Sequence, residues 1–556
     1  MKSEVDLLVS ARRIYTVDDA FSTAESMAIS DGRIVAAGSR AQLGERFAPR
    51  RVLDLGEAFV YPGFMDPHCH FLSYGIILRR ANLFETGSWE EAVERLVAHH
   101  QRAGEYWVQG RGWNQNDWAP REFPDRALLD RVFPDNPVLI IRIDGHAAMA
   151  NGRALALAGL NIASSIPGGA LGASDGRLTG LLLDNAVEAV KAVVPVPDEA
   201  AKRRALLEAQ ANCFAVGLTS VSNAGTDLED VLLMERLQRE GAMKIRMYAM
   251  LNACEANFDY FTAGRRDPDS GQHGDRRSGP DSGPDSGQHG DQYRGPLCGE
   301  RLTVRSFKMY ADGALGSRGA SLLEPYSDDP GNYGLKTLEP AELESVCGIA
   351  GDSGFQMNVH CIGDAAVRAV LDSYEKFLQP GNDRRWRIEH AQVVHPDDLP
   401  RFGRLGVIPS IQTTHATSDM PWMQGRLGAS RMSRAHAYRS LLAQNGWLPN
   451  GSDFPIEKIN PLYGFHAGVA RTDRCGMPPG GFMPEQALTR VQALRAMTAW
   501  AARANFEEKD RGSLEPGKWA DFTVLSGDIM TAPEEELRDM PVLATAVGGE
   551  IVFERA

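Results

Sequence analysis

Two histidines one residue apart close the stretch YPGFMDPHCHF at residues 61–71. An apolar run leads into them, and on a strand positions i and i+2 face the same side. His68 and His70 thus present both imidazoles to one point, with Cys69 turned away. Such a pair suits a metal ion, because neutral imidazole is a common ligand. Two histidines do not make a site alone, so the rest of the chain has to supply the missing ligands.

Four further segments end in residues of the right chemistry. They are LTVRSFKMYADG with Lys308, FQMNVHCIGD with His360, RWRIEHAQ with His390, and GWLPNGSDFP with Asp453. Each has a plain alternative: a core histidine, a salt-bridged lysine, or a turn aspartate before Phe454-Pro455. Those alternatives have to hold together, at matching strand ends, for the metal reading to fail.

The elements that position these residues read as eight apolar segments separated mostly by helical ones. Besides the five above they are GLTSVSNAG, KIRMYAML and GVIPSIQTTH, with intervening helices such as LEDVLLMERLQREG and DAAVRAVLDSYEKFL. This alternation predicts an α/β fold, a (β/α)8 TIM-like barrel whose chemistry sits at the C-terminal strand ends. Both chain ends have a different texture, with short alternating strands in VDLLVSARRIYTV, MAISDGRIVAAG and VLATAVGGEIVFERA. They predict a small composite β-sandwich domain from residues 1–57 and 508–556. The barrel takes 58–73 and 198–507, and residues 74–197 form an inserted α+β segment over its mouth. Residues 263–296 repeat DSGQHGD and are glycine-, serine- and charge-rich. Such sequence buries too little to order itself, so a disordered loop is expected, with His273 and His289 as bystanders.

Composition narrows the function. The chain has 556 residues, 43% hydrophobic and 24% charged, as in a water-soluble globular protein. A formal charge of −14 argues against a nucleic-acid partner, which needs a basic surface. The acidic start MKSEVDLLVS is unlike a signal peptide, and no apolar run reaches the length of a membrane span. Seven scattered cysteines without a CxxC pair indicate neither disulfides nor a cysteine metal site. A cytoplasmic protein without a membrane partner is expected. A homodimer is the default assembly.

The words PGFMDPHCH, KMYADGALGSR, HCIGDAA, RIEHAQ and NGSDFP, in that order, resemble the metal-dependent amidohydrolase superfamily. They look most like the branch that includes N-substituted formamide deformylase, and the likeness extends to GSLEPGKWADFTVL and the insertion. The resemblance implies two divalent metal ions, with zinc the first choice. His68 and His70 bind one, His360 and His390 the second, and Lys308 bridges them as a carbamate formed with carbon dioxide. Asp453 binds the first metal and serves as general acid/base for a metal-activated hydroxide. The implied reaction is hydrolysis of an amide-like C–N bond in a small-molecule amide, of the N-acyl or N-formyl amine type.

Further contacts come from neighbouring segments. GRGWNQNDW offers Arg111 and Trp113 for substrate binding, and IDGHAAMAN offers Asp144 and His146; His146 is a second catalytic candidate, placed to hydrogen-bond the carbonyl oxygen. The family often has histidine at the position of Arg111. Arg318 can meet an anionic substrate group or a loop carboxylate, and His415 follows the seventh strand. Asp312 shapes a loop rather than binding metal. Rival readings keep the same metal centre for a cyclic amidase, a deaminase or an esterase, or make the barrel a non-catalytic scaffold. Lys308 tilts away from deaminases, and the full ligand set argues against a scaffold.

Overall fold

The computed structural model of the chain describes residues 2–143, 145, 147–166, 169–262 and 296–555. They form two compact units, residues 1–71 with 210–556, and residues 72–209.

The first unit is built on seven parallel strands that neighbour one another in chain order. They are β1 (Phe64–Cys69), β2 (Leu218–Thr226), β3 (Arg246–Asn252), β4 (Leu302–Tyr310), β5 (Gln356–Cys361), β6 (Arg387–His390) and β7 (Ile408–Ser410). Residues 449–454 take the eighth place. On one side Ile411 N donates to Pro449 O at 3.0 Å and Gly451 N to Ile411 O at 2.9 Å. On the other, Asp453 N donates to His68 O at 2.9 Å and His70 N to Phe454 O at 2.8 Å. These bonds join β7 to β1 and close a TIM-like barrel. Prolines flank this last segment, and neither can donate to a ladder. A β-carbon on Gly451 would lie 2.8 Å from Asp66 Oδ1 and from His68 N, and 2.9 Å from His68 O. Only glycine lets the closing segment come so near β1.

Helices cover the barrel as the 3.6-residue period requires. The helix Asp364–Tyr374 buries Ala366, Val367, Val370, Leu371 and Tyr374 along one stripe. Each large side chain there contributes roughly 1.5–3 kcal/mol of burial. The helix Pro340–Ser353 has proline in its first turn and ends at Gly354 in the left-handed region (φ 77°). Register sets two levels inside the barrel. Lys308, Asn358 and Arg387 pair across β4, β5 and β6, and Tyr310, His360 and Glu389 pair one level nearer the C-terminal end.

Both chain ends meet in one sheet of eight strands. The strand Ser3–Tyr15 pairs with Thr23–Ser30 on one edge, and with Phe47–Asp54 and Phe59–Pro62 on the other. Phe59–Pro62 then pairs antiparallel with Phe522–Leu525, so the end sheet reaches residue 62 rather than stopping at 57. Val9, Ile14, Met27, Val60, Phe522 and Val524 form its core. Arg246 of β3 ties this sheet to the barrel. It donates through Nε and Nη2 to Asp521, at 2.5 and 2.9 Å, with both groups buried.

The second unit has its own mixed six-stranded sheet. Its order is Gly169–Ser174, Arg177–Asp184, Ala147–Ala150, Val138–Arg142, Val108–Trp113 and Ala81–Asn82. The helix Trp89–Ala103 packs its buried residues Ala92, Val93 and Leu96 in a core with Leu83, Trp113, Leu129 and Ile140.

Residues 263–295, which make up nearly all of the expected low-complexity loop, lie outside the described residues, as do Asp144 and His146. Among the described residues the seven cysteines are free, and no helix is long and apolar enough to cross a membrane.

Candidate metal centre

The barrel brings the strand-end residues together. His68 lies in β1 and His70 just beyond it, Lys308 in β4, His360 in β5, His390 at the end of β6 and Asp453 in the closing segment. Strand alternation turns Arg387 and Glu389 of β6 inward, which leaves His390 facing out. A φ of 72° at His390 breaks that alternation and returns its ring to the interior. The ring centres there are 4.9 Å from His68 and 4.6 Å from His360. Asp453 also sits at positive φ, 62°. Non-glycine residues adopt this region at a cost, and such strain clusters at functional sites.

The arrangement supplies free donor atoms. His68 Nδ1 is 2.7 Å from Glu389 Oε2, His390 Nδ1 is 2.6 Å from Gln412 Oε1, and His70 Nδ1 is 3.0 Å from Ala224 O. Each acceptor fixes its imidazole with the Nδ1 proton outward, leaving Nε2 for the site. His68 Nε2 and His70 Nε2 approach Asp453 Oδ1 to 3.5 and 3.3 Å. One ligand atom each from His68, His390 and Asp453 lies within 4.8 Å of the others, close enough to share an ion. That triplet takes one histidine from each of the two expected pairs. His360 Nε2 instead lies 3.6 Å from Asp312 Oδ1.

Burial sets the protonation. It pushes the His360 imidazolium down to about 3, helped by the positive charge of Lys308. His68 is lowered by burial and Lys308, and His390 is held well below the ordinary histidine value by burial and its histidine neighbours. Burial works against ionised Asp453, but His70, His68 and His390 outweigh it and hold the carboxyl well below the usual range. Neutral imidazoles beside an ionised carboxylate are the donor set that a divalent ion takes. Lys308 Nζ, His68 Nε2, His360 Nε2 and His415 Nε2 are buried without hydrogen-bond partners. Orphaned buried polar atoms are costly in a protein that binds nothing there, so these residues fit a metal.

Other sequence candidates fall in different places. His415, on the helix Thr413–Leu427, stacks on His390 with ring centres 5.9 Å apart and puts Nε2 3.8 Å from Asp453 Oδ2. Arg318 makes a two-pronged pair with Asp328, which also receives Arg426, so the loop carboxylate takes this guanidinium. Asp312 accepts from the backbone of Ser321, Ile362 and Gly363, and so ties the loop after β4 to the loop after β5. Burial raises its pKa to about 7 despite those bonds. Trp113 is wholly buried in the second unit, its indole nitrogen donating to Ile140 O at 3.0 Å, and it packs on Trp118. Arg111 is half-buried on the same strand.

Sequence reasoning missed Glu389 and Gln412. A glutamate inside the buried strand RIEH was a signal for the first. Gln412 carried none.

The amidohydrolase family model matches residues 51–553. Protein LONG AFTER FAR-RED 3 of Arabidopsis thaliana is 33% identical, over 99% of this chain and 91% of its own length. N-substituted formamide deformylase of Arthrobacter pascens is 27% identical, over 99% and 98%. A metal-dependent hydrolase of Pyrococcus horikoshii OT3 superposes with a TM-score of 0.75 at 26% identity, covering 95% of this chain and 99% of that one. The match over most of the chain and the convergent donor set agree: this chain belongs to the amidohydrolase family.

Proposed function

We propose that the chain hydrolyses an amide-like C–N bond in an N-acyl or N-formyl amine, with divalent metal held by His68, His70, His360, His390 and Asp453. The observation that carries this reading is the convergence of His68, His390 and Asp453 on one point, with the outer Nδ1 atoms of both histidines already engaged. The likeness to a formamide deformylase favours acyclic N-acyl substrates over cyclic ones. Zinc suits the nitrogen and oxygen donors. Lys308 is buried, without a hydrogen-bond partner, and packs on Tyr310 at 4.5 Å. Carboxylated by carbon dioxide, its side chain would be anionic and would offer oxygen donors to divalent metal.

When bound, the metal supplies Lewis acidity and makes water acidic enough to act as a nucleophile near neutral pH. Asp453 takes the proton from the attacking water on a carboxylate oxygen and delivers it to the departing nitrogen. The products are a carboxylic acid and an amine. His415, beside Asp453 Oδ2, borders the substrate. The domain from both chain ends is a small β-sandwich, and the enzyme is a cytoplasmic homodimer.

A second reading has one ion and deaminase-like chemistry, because the triplet itself converges on a single point. Elemental analysis of protein purified without chelator separates the two, alongside hydrolysis assays on N-formyl and N-acyl amines. About two equivalents with amine release is expected. About one equivalent with ammonia release favours the second reading, and no metal after zinc addition refutes both.

A further inference from the structure

We propose that Glu389, backed by Arg387, is a positioning residue that fixes His68 as an Nε2 ligand and strengthens its hold on the metal. This rests on the metal reading above. Both side chains are fully buried inside the barrel. Glu389 Oε2 is 2.7 Å from His68 Nδ1, and Oε1 is 3.9 Å from Arg387 Nη1. Arg387 is itself anchored below, donating to Pro67 O at 3.3 Å, Ala504 O at 2.7 Å and Asn505 Oδ1 at 2.5 Å.

The acceptors behind the other two histidines are neutral, a glutamine amide at His390 and a backbone carbonyl at His70. Glu389 alone of the three carries charge. An ionised acceptor makes the stronger hydrogen bond and draws the Nδ1 proton harder, so the Nε2 lone pair becomes a better donor. Stability does not require it, since a buried ion pair is commonly replaceable by apolar residues without loss. A carboxylate and guanidinium placed under one ligand are explained by what they do to that ligand.

The test is Glu389→Gln in the full chain, which keeps the shape and removes the charge. Zinc affinity is measured by competition with a chromogenic chelator, and the cobalt-loaded protein is read by its visible spectrum. A roughly 10–100-fold weaker affinity and an altered cobalt spectrum are expected. In a His68→Ala background the same change should alter affinity by less than about twofold, because the effect runs through His68. Unchanged affinity in E389Q, or an equal loss without His68, overturns the proposal. Arg387→Lys leaves Glu389 in place and moves only the cation; a smaller loss in the same direction is expected, and wild-type affinity removes Arg387 from the device even where E389Q does not fold. Wild-type protein that binds no zinc refutes the metal reading itself, a distinct outcome.

Discussion

Gly451→Ala tests whether the closing segment sets the metal site. The new β-carbon would stand 2.8–2.9 Å from three atoms, two of them backbone atoms of His68. Carbon contacts settle near about 3.5 Å, so the closing segment and β1 must separate by roughly 0.6 Å. Neither side is a flexible tip, because His68 O already accepts from Asp453 N and Asp66 accepts from Ser452. Overpacking of this kind costs about 1–3 kcal/mol. The displacement falls on Asp453 and His68, which face each other at 3.5 Å across the seam. A misplacement of about 1 Å can cost about 100-fold in rate, so roughly tenfold is the expected loss here. The assay combines thermal melting, bound zinc per chain and turnover of the best N-acyl or N-formyl amine. A lower melting temperature, weaker zinc retention and slower turnover should appear together. Wild-type values for zinc and turnover would refute the claim that closure at Gly451 places the ligands.

Asp453→Asn should keep bound metal yet slow hydrolysis by about 10²–10⁴-fold, the usual worth of a positioned acid/base; equal turnover removes Asp453 from that role. Asp521→Asn leaves buried Arg246 only the half-exposed Glu300 carboxylate at 3.9 Å and should destabilise the protein by up to about 3–5 kcal/mol in denaturant titration. Burial opposes the ionised Asp521, but Arg246 outweighs it and holds the pKa below the ordinary value. The wild-type advantage is therefore full above about pH 4 and fades as pH falls through the lowered pKa; a penalty under about 1 kcal/mol at pH 7 would mark the pair as weak. Trp113→Ala should cost about 3–5 kcal/mol and expose the second unit to limited proteolysis, as deletion of a buried ring does. Unchanged protease resistance would refute its core role.

Local pattern made much of this protein legible. Apolar runs ending in His68, His70, Lys308, His360, His390 and Asp453 placed the strands and their polar ends, because alternation along a strand and burial of a parallel sheet are written residue by residue. Strands from both chain ends share one sheet, whereas Glu389 in RIEH went unread because its partner His68 lies 321 residues away. Pairwise geometry was not legible. That His390 turns inward depends on one positive φ; that it converges with His68 and Asp453, while His360 leans toward Asp312, depends on how strands far apart in sequence are staggered. Trp113 reads as a substrate contact in sequence and packs as core, because burial belongs to the assembled sheet rather than to the residue. The sequence by itself determined which chemical groups are present and which strand ends carry them. The tertiary structure decided which imidazole nitrogen faces the site, through acceptors at Glu389, Gln412 and Ala224 that lie from 22 to 321 residues away along the chain. A hydrogen bond is fixed by distance in space, and only the closed barrel sets that distance.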